Sequence, residues 1–188
     1  MPKNDYFNEV SKLLSHEIDN LELILETLYN CILEKRSIWI IGNGGSASTA
    51  DHFEVDLSYV RMTSKPFEVR AKSLCSNIAV LSAIGNDIGF ENIYAHQLMR
   101  QARPGDVCVA ISASGNSPNL IRAIDVCKEK SIKSIALIGF DGGDLLSKAD
   151  ISCLVQTNLG MYGHVEDVHL SICHFLAANL KNRIFGES

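Results

Sequence analysis

Apolar residues recur at intervals of three and four over about residues 4–34: Val10, Leu13, Leu14, Ile18, Leu21, Ile24, Leu25, Leu28, Ile32 and Leu33. The spacing predicts an amphipathic helical region, as one long helix or two. Its apolar stripe is wide and holds no catalytic grouping, which suits packing against neighbours, other subunits included. After Ser37 the period changes. Short β-type runs at 38–41, 67–71, 107–111, 134–138 and 151–155 alternate with helical stretches. That alternation specifies an α/β architecture, a parallel sheet with helices on both faces. Ligands on such sheets sit at the carboxyl ends of the strands, and two turns rich in glycine or serine, 42–46 and 112–117, fall there. No linker, low-complexity tract or internal repeat interrupts the pattern, so residues 1–188 are expected to form one domain.

Composition narrows the class. The 188 residues are 46% hydrophobic and 21% charged, as in an ordinary globular chain, and the net charge of -5 with dispersed basic residues argues against a nucleic-acid surface. No apolar run is long enough to cross a bilayer. The opening residues from Met1 to Tyr6 lack the apolar stretch of a signal peptide, so a cytoplasmic protein is expected. Cys31, Cys75, Cys108, Cys127, Cys153 and Cys173 sit mostly in apolar segments without C-x-x-C spacing, and read as reduced, buried thiols. Cys173 and His174 are adjacent, and neighbouring helix positions diverge by about 100°, which argues against a catalytic pair.

Candidate chemistry lies in three places. The segment Ile111-Ser112-Ala113-Ser114-Gly115-Asn116-Ser117 follows an apolar strand and opens a helix at Pro118. Its hydroxyls, its backbone N–H groups and the helix dipole suit an anion, most simply a phosphate; a serine-rich helix cap is the plainer alternative. Gly42-Asn43-Gly44-Gly45-Ser46 is wrongly spaced for a dinucleotide fingerprint and suits close approach by a ligand or a neighbouring loop. His52 and Asp56, four apart on a predicted helix, share a face. They suit a divalent metal or an acid–base pair, or form a simple ion pair. In the last predicted helix Glu166 and His169 share a face, whereas His174 lies about 12 Å beyond Glu166 along the axis, too far for both to reach one ion on a straight helix.

With these pieces in place the chain resembles the sugar isomerase (SIS) family, and within it the phosphoheptose isomerases, along nearly its whole length. The landmarks are Gly42 to Ala47, His52-Phe53, Asn86-Asp87-Ile88-Gly89-Phe90-Glu91, Ser112 to Ser117, Asp141-Gly142-Gly143, and Val168-His169 through His174. The resemblance implies a three-layer α-β-α sandwich around a five-stranded parallel sheet, the SIS fold, behind an N-terminal helical region. It also implies a homotetramer with active sites at subunit junctions. By the same resemblance Ser112, Ser114 and Ser117 hold the substrate phosphate, with Asn43, Gly44 and Ser46 nearby, and Asp87 and Glu166 contact substrate. His52, Asp56, Glu166 and His174 are the implied metal positions, with zinc the usual ion, one per subunit.

The activity implied is aldose–ketose isomerisation of sedoheptulose 7-phosphate to glycero-manno-heptose 7-phosphate, for surface-glycan heptose synthesis, through an enediolate. Asp56 is the base and His174 its acid–base partner, with His169 in reserve. Three departures stand out. Asp56 replaces the family's glutamate and retracts the carboxylate by about 1.5 Å; Glu166 replaces a glutamine; and the family's arginine would align with Val60, leaving Arg61 one position off. Ala113 stands where the family usually has threonine. Two other readings remain: an isomerase for a different phosphosugar, or a non-catalytic relative that binds the replication initiator DnaA. That last branch loses the acid after the first histidine and the final histidine, both of which this chain keeps.

Overall fold

A computed structural model describes residues 3–16, 18–58 and 68–186. The N-terminal stripe folds as two helices, α1 (Lys3–Ser15) and α2 (Leu21–Leu33), with Asn20 in the left-handed region at φ 63° between them. Then follow β1 (Ser37–Gly42), α3 (Gly45–Ser58), β2 (Arg70–Ser73), α4 (Ile78–Ile88), a single 3₁₀ turn (Phe90–Asn92) and α5 (Ala95–Gln101). The remainder is β3 (Val107–Ser112), α6 (Pro118–Glu129), β4 (Lys133–Phe140), α7 (Leu145–Lys148), β5 (Ile151–Gln156) and α8 (Tyr162–Phe185).

All five strands are parallel, in the order β2-β1-β3-β4-β5. Alternate side chains feed opposite layers. Ile38, Ile40, Val107, Val109, Ile135 and Leu137 join one buried cluster with α2, α3 and α8. Trp39, Ile41, Cys108, Ala110, Ala136 and Ile138 join another with α4, α5, α6 and α7. Central strands buried on both faces must be apolar throughout, which is why these runs read as continuous rather than alternating. The expected three-layer α/β architecture is therefore present.

The second strand begins at Arg70, three residues later than the 67–71 expected, and only Ala71 and Ser73 of it are buried. It is a short edge strand with charged outward positions, so its hydrophobic signal is weak. Phe67, Val60 and Arg61 lie outside the described residues. All six cysteines are free, and five are buried. A polar anchor closes the amino end of the sheet: buried Asp106 accepts from the Ser37 amide at 3.0 Å, Trp39 Nε1 at 2.9 Å and the Arg103 amide at 2.9 Å. Among the described residues no helix is long and apolar enough to cross a membrane.

The strand order has a direct consequence. From β1 the chain crosses to β2 on one side, and β3 returns to pair on the other, so a crevice opens beyond the carboxyl ends of β1 and β3. Both turns singled out from the sequence flank that crevice.

Candidate functional site

The crevice holds a cavity of about 280 Å³ lined by Asn43 to Ser46 after β1 and by Ser112, Ala113, Ser114 and Ser117 after β3. Ser112 and Ser114 are placed by local bonding. The Gly115 amide donates to Ser112 Oγ at 3.0 Å and the Asn116 amide to Ser114 Oγ at 3.3 Å, which curls the loop tightly. Ser117 is the N-cap of α6 in position only: its backbone is extended, and its hydroxyl makes no capping bond. Ser117 lines the cavity at the N-terminus of a twelve-residue helix, whose positive end would favour an anion. The cavity's hydroxyls and backbone N–H groups could hold an anion as hydrogen-bond donors, and among the described residues no lysine or arginine lines it.

The two turns are latched together. Asn43 and Asn119 exchange reciprocal side-chain amide bonds of 2.9 and 2.8 Å, and the Tyr94 hydroxyl donates to the Gly42 carbonyl. Behind the serine loop the Asp141-Gly142-Gly143 segment acts as a buttress. An added Cβ on Gly115 would lie 1.9 Å from the Gly142 carbonyl oxygen, while the Leu145 amide donates to the Gly115 carbonyl at 3.0 Å. The Asp144 amide donates to Asn116 Oδ1, also at 3.0 Å. Across the cavity stands the first turn of α8, presenting Tyr162 and Glu166. The Glu166 carboxyl fits against Gly45, where a Cβ would come within 2.5 Å of it.

A second centre forms where α3 packs on α8. Phe53 and Leu57 of α3 turn into the core, leaving His52 and Asp56 on a flank that meets His174. His52 Nε2 and His174 Nε2 are 3.1 Å apart, and Asp56 Oδ2 lies 3.5 and 3.7 Å from them. The side chains are 49%, 51% and 19% exposed respectively, so the centre opens outward on the histidine side. A tetrahedral zinc with bonds of about 2.0–2.1 Å has ligand atoms about 3.3 Å apart, close to these separations. Two imidazole nitrogens and a carboxylate oxygen, with one side open, fit the ion; without it, one imidazole N–H donates to the other ring. A cavity beside the centre adds Lys181, seven residues after His174 and on its face of the helix.

Other candidates fall elsewhere. Glu166 belongs to the serine-loop cavity and not to the His–Asp centre, as the rise of a straight helix requires. Asp87 is exposed in the last turn of α4, accepting from Asn86 Nδ2 at 2.9 Å, and does not line the serine-loop cavity of its own chain. His169 is completely buried among core residues, where desolvation lowers its pKa to about 4 and keeps it neutral. The sequence reading missed Tyr162, Asn119, Tyr94 and Lys181. Only Asn119, directly after the serine loop and Pro118, carried a local signal.

The family model described as the SIS domain matches residues 5–139. A phosphoheptose isomerase from Geotalea daltonii is 37% identical over 164 residues, 87% of this chain and 84% of that one. The structure of a phosphoheptose isomerase from Neisseria gonorrhoeae matches with a TM-score of 0.81 at 30% identity, covering 95% of this chain and 92% of the other. One from Francisella tularensis shares the fold, with a TM-score of 0.86 at 23% identity over 94% and 95% of the two chains. The chain belongs to the SIS-domain family, in its phosphoheptose isomerase branch of aldose–ketose isomerases.

Proposed function

We propose that the chain interconverts sedoheptulose 7-phosphate and glycero-manno-heptose 7-phosphate, supplying heptose for surface-glycan synthesis. The observation that carries this reading is the presence in one chain of a hydroxyl and amide pocket and a separate His52–Asp56–His174 centre. The first suits a terminal phosphate and the second a proton transfer at the sugar's other end. Ser112, Ser114, Ser117 and Ser46, with the Asn43 and Gly44 backbone, anchor the phosphate, so binding remote from the reaction positions C1 and C2. Asp56 takes the proton alpha to the carbonyl to give an enediolate, and His174 moves a proton at the neighbouring carbon or oxygen. Where zinc is bound, one per subunit, His52, Asp56 and His174 would hold it and it would supply Lewis-acid polarisation of the carbonyl and its hydroxyl, with proton transfer then falling to the Asp56 oxygen that is not a ligand.

The two centres lie along one helix with Glu166 and His174 about 12 Å apart. Family resemblance implies a homotetramer with active sites at subunit junctions, and this reading adopts it: the pocket of one subunit pairs with the His–Asp centre of another. Asp87, exposed on its own chain, then reaches substrate across a junction, and Glu166 can meet the sugar or the metal there. Residues 1–188 act as one domain, since α8 completes the core laid down by β1 and β3. The six free thiols fit a reducing cytoplasm.

A second reading, a different phosphosugar, is favoured by one observation. The Glu166 carboxylate lines the phosphate cavity, where an anion changes which hydroxyls are accepted. Against the DnaA-partner reading, the acid and the final histidine are both present and lie in contact distance. Turnover of sedoheptulose 7-phosphate before and after chelation and zinc return, with Asp56→Ala alongside, tests the proposal. Zinc-restored turnover absent from the variant supports it; bound zinc without turnover moves the weight to another phosphosugar; neither zinc nor turnover sinks the enzyme reading.

A further inference from the structure

The start of α8 supplies Tyr162 and Glu166 to the serine-loop cavity, yet it is poorly secured from within its own segment. Met161 at the N-cap makes no side-chain capping bond, Gly160 before it is at φ 92°, and Leu159 is 84% exposed. An uncapped first turn leaves backbone donors unsatisfied and frays readily. The turn is gripped instead from the flank facing away from the cavity. Tyr6 of α1 donates its hydroxyl to Asp167 Oδ2 at 2.8 Å, and its ring lies on the buried His164 ring with centroids 4.2 Å apart. Gly163 makes room, since a Cβ there would come within 3.0 Å of the Tyr6 hydroxyl. The bond to the carboxylate also pushes the Tyr6 hydroxyl up to about 12, so it stays a donor across the physiological range.

We propose that Tyr6 is a positioning residue for the serine-loop pocket: through Asp167 and His164 it fixes the first turn of α8, and with it the wall formed by Tyr162 and Glu166. This rests on the phosphosugar reading for its substrate, but the pocket geometry alone defines the test. The N-terminal helix, which holds no catalytic group, thereby acts on the site without touching ligand.

The test measures inorganic phosphate affinity by calorimetry, amide hydrogen exchange over residues 161–167, thermal melting, and KM and kcat for sedoheptulose 7-phosphate. It compares the full-length protein with Tyr6→Phe, Asp167→Ala, Asp167→Asn and the Tyr6→Phe/Asp167→Ala double variant. Loss of one such hydrogen bond predicts phosphate affinity weaker by about fivefold in Tyr6→Phe and Asp167→Ala, with exchange faster by a similar factor. KM should rise while kcat stays near wild type. The double variant should be no worse than either single, and Asp167→Asn, which keeps an acceptor oxygen, should return to within about twofold of wild type. A lower melting temperature with unchanged phosphate affinity and KM would overturn the proposal, leaving only a docking contact. If wild-type protein fails to turn over sedoheptulose 7-phosphate but the variants still weaken phosphate, the positioning role stands and the sugar assignment falls. Wild-type protein that binds no phosphate overturns both.

Discussion

Replacing Gly115 by alanine probes the link between the serine loop and its buttress. The residue sits at φ 65°, where a non-glycine residue pays about 1–2 kcal/mol. The new methyl would also stand 1.9 Å from the Gly142 carbonyl oxygen and 2.6 Å from its carbon. Ordinary contact needs about 3.5 Å, so one loop must retreat by about 1.5 Å. That retreat strains the bonds from the Leu145 amide to Gly115 and from the Asp144 amide to Asn116, each worth about 1 kcal/mol. The total is about 3–4 kcal/mol, or a melting temperature lower by about 10 °C in a chain of this size. Gly44 provides the control: it too has positive φ, 54°, but an added Cβ meets nothing within 4 Å, so its alanine variant should cost only the backbone term, about 1–2 kcal/mol. Because the retreat displaces the phosphate donors by about an ångström, KM for the phosphosugar should also rise at least about tenfold in Gly115→Ala. Thermal melting and steady-state kinetics measure both effects. Equal melting temperatures for the two variants, with KM unmoved in Gly115→Ala, would refute the buttress.

Asp106→Asn turns an amide N–H₂ toward one or more of the three N–H donors that now meet a carboxylate, and should destabilise by about 2–4 kcal/mol in urea unfolding while leaving KM unchanged. Purified protein should carry zinc at about one ion per chain, and His52→Ala or His174→Ala should lower zinc affinity at least about tenfold by chelator competition; metal retained at wild-type affinity in both would remove this centre as the binding site. His169 has a folded pKa of about 4 against an ordinary 6.5, so between those values the unfolded chain binds the extra proton. Stability contributed by the neutral ring is complete above about pH 6.5 and falls by about 3 kcal/mol as pH drops toward 4. His169→Leu should flatten that part of the urea-midpoint profile.

Local features carried much of this protein's organisation. The change from a period of three and four to short continuous β runs after Ser37 set out helices first and then a parallel α/β sheet, because strands covered on both faces must be apolar at every position. The placement of Gly42–Ser46 and Ser112–Ser117 at strand ends was legible for the same reason, and helix rise alone separated Glu166 from His174. The edge strand β2 was misplaced by three residues, since Arg70 and Lys72 face outward and leave two buried positions to mark it. Long-range geometry decided the rest. Sequence order does not say that β1 lies between β2 and β3, and that order is what opens the crevice between the two turns. Nor could spacing bring His174 to His52 and Asp56 across 122 residues, or set the Gly142 carbonyl against Gly115. Periodicity records which side of an element is buried; which element buries it, and which polar groups meet at the seam, follows only from packing the layers together.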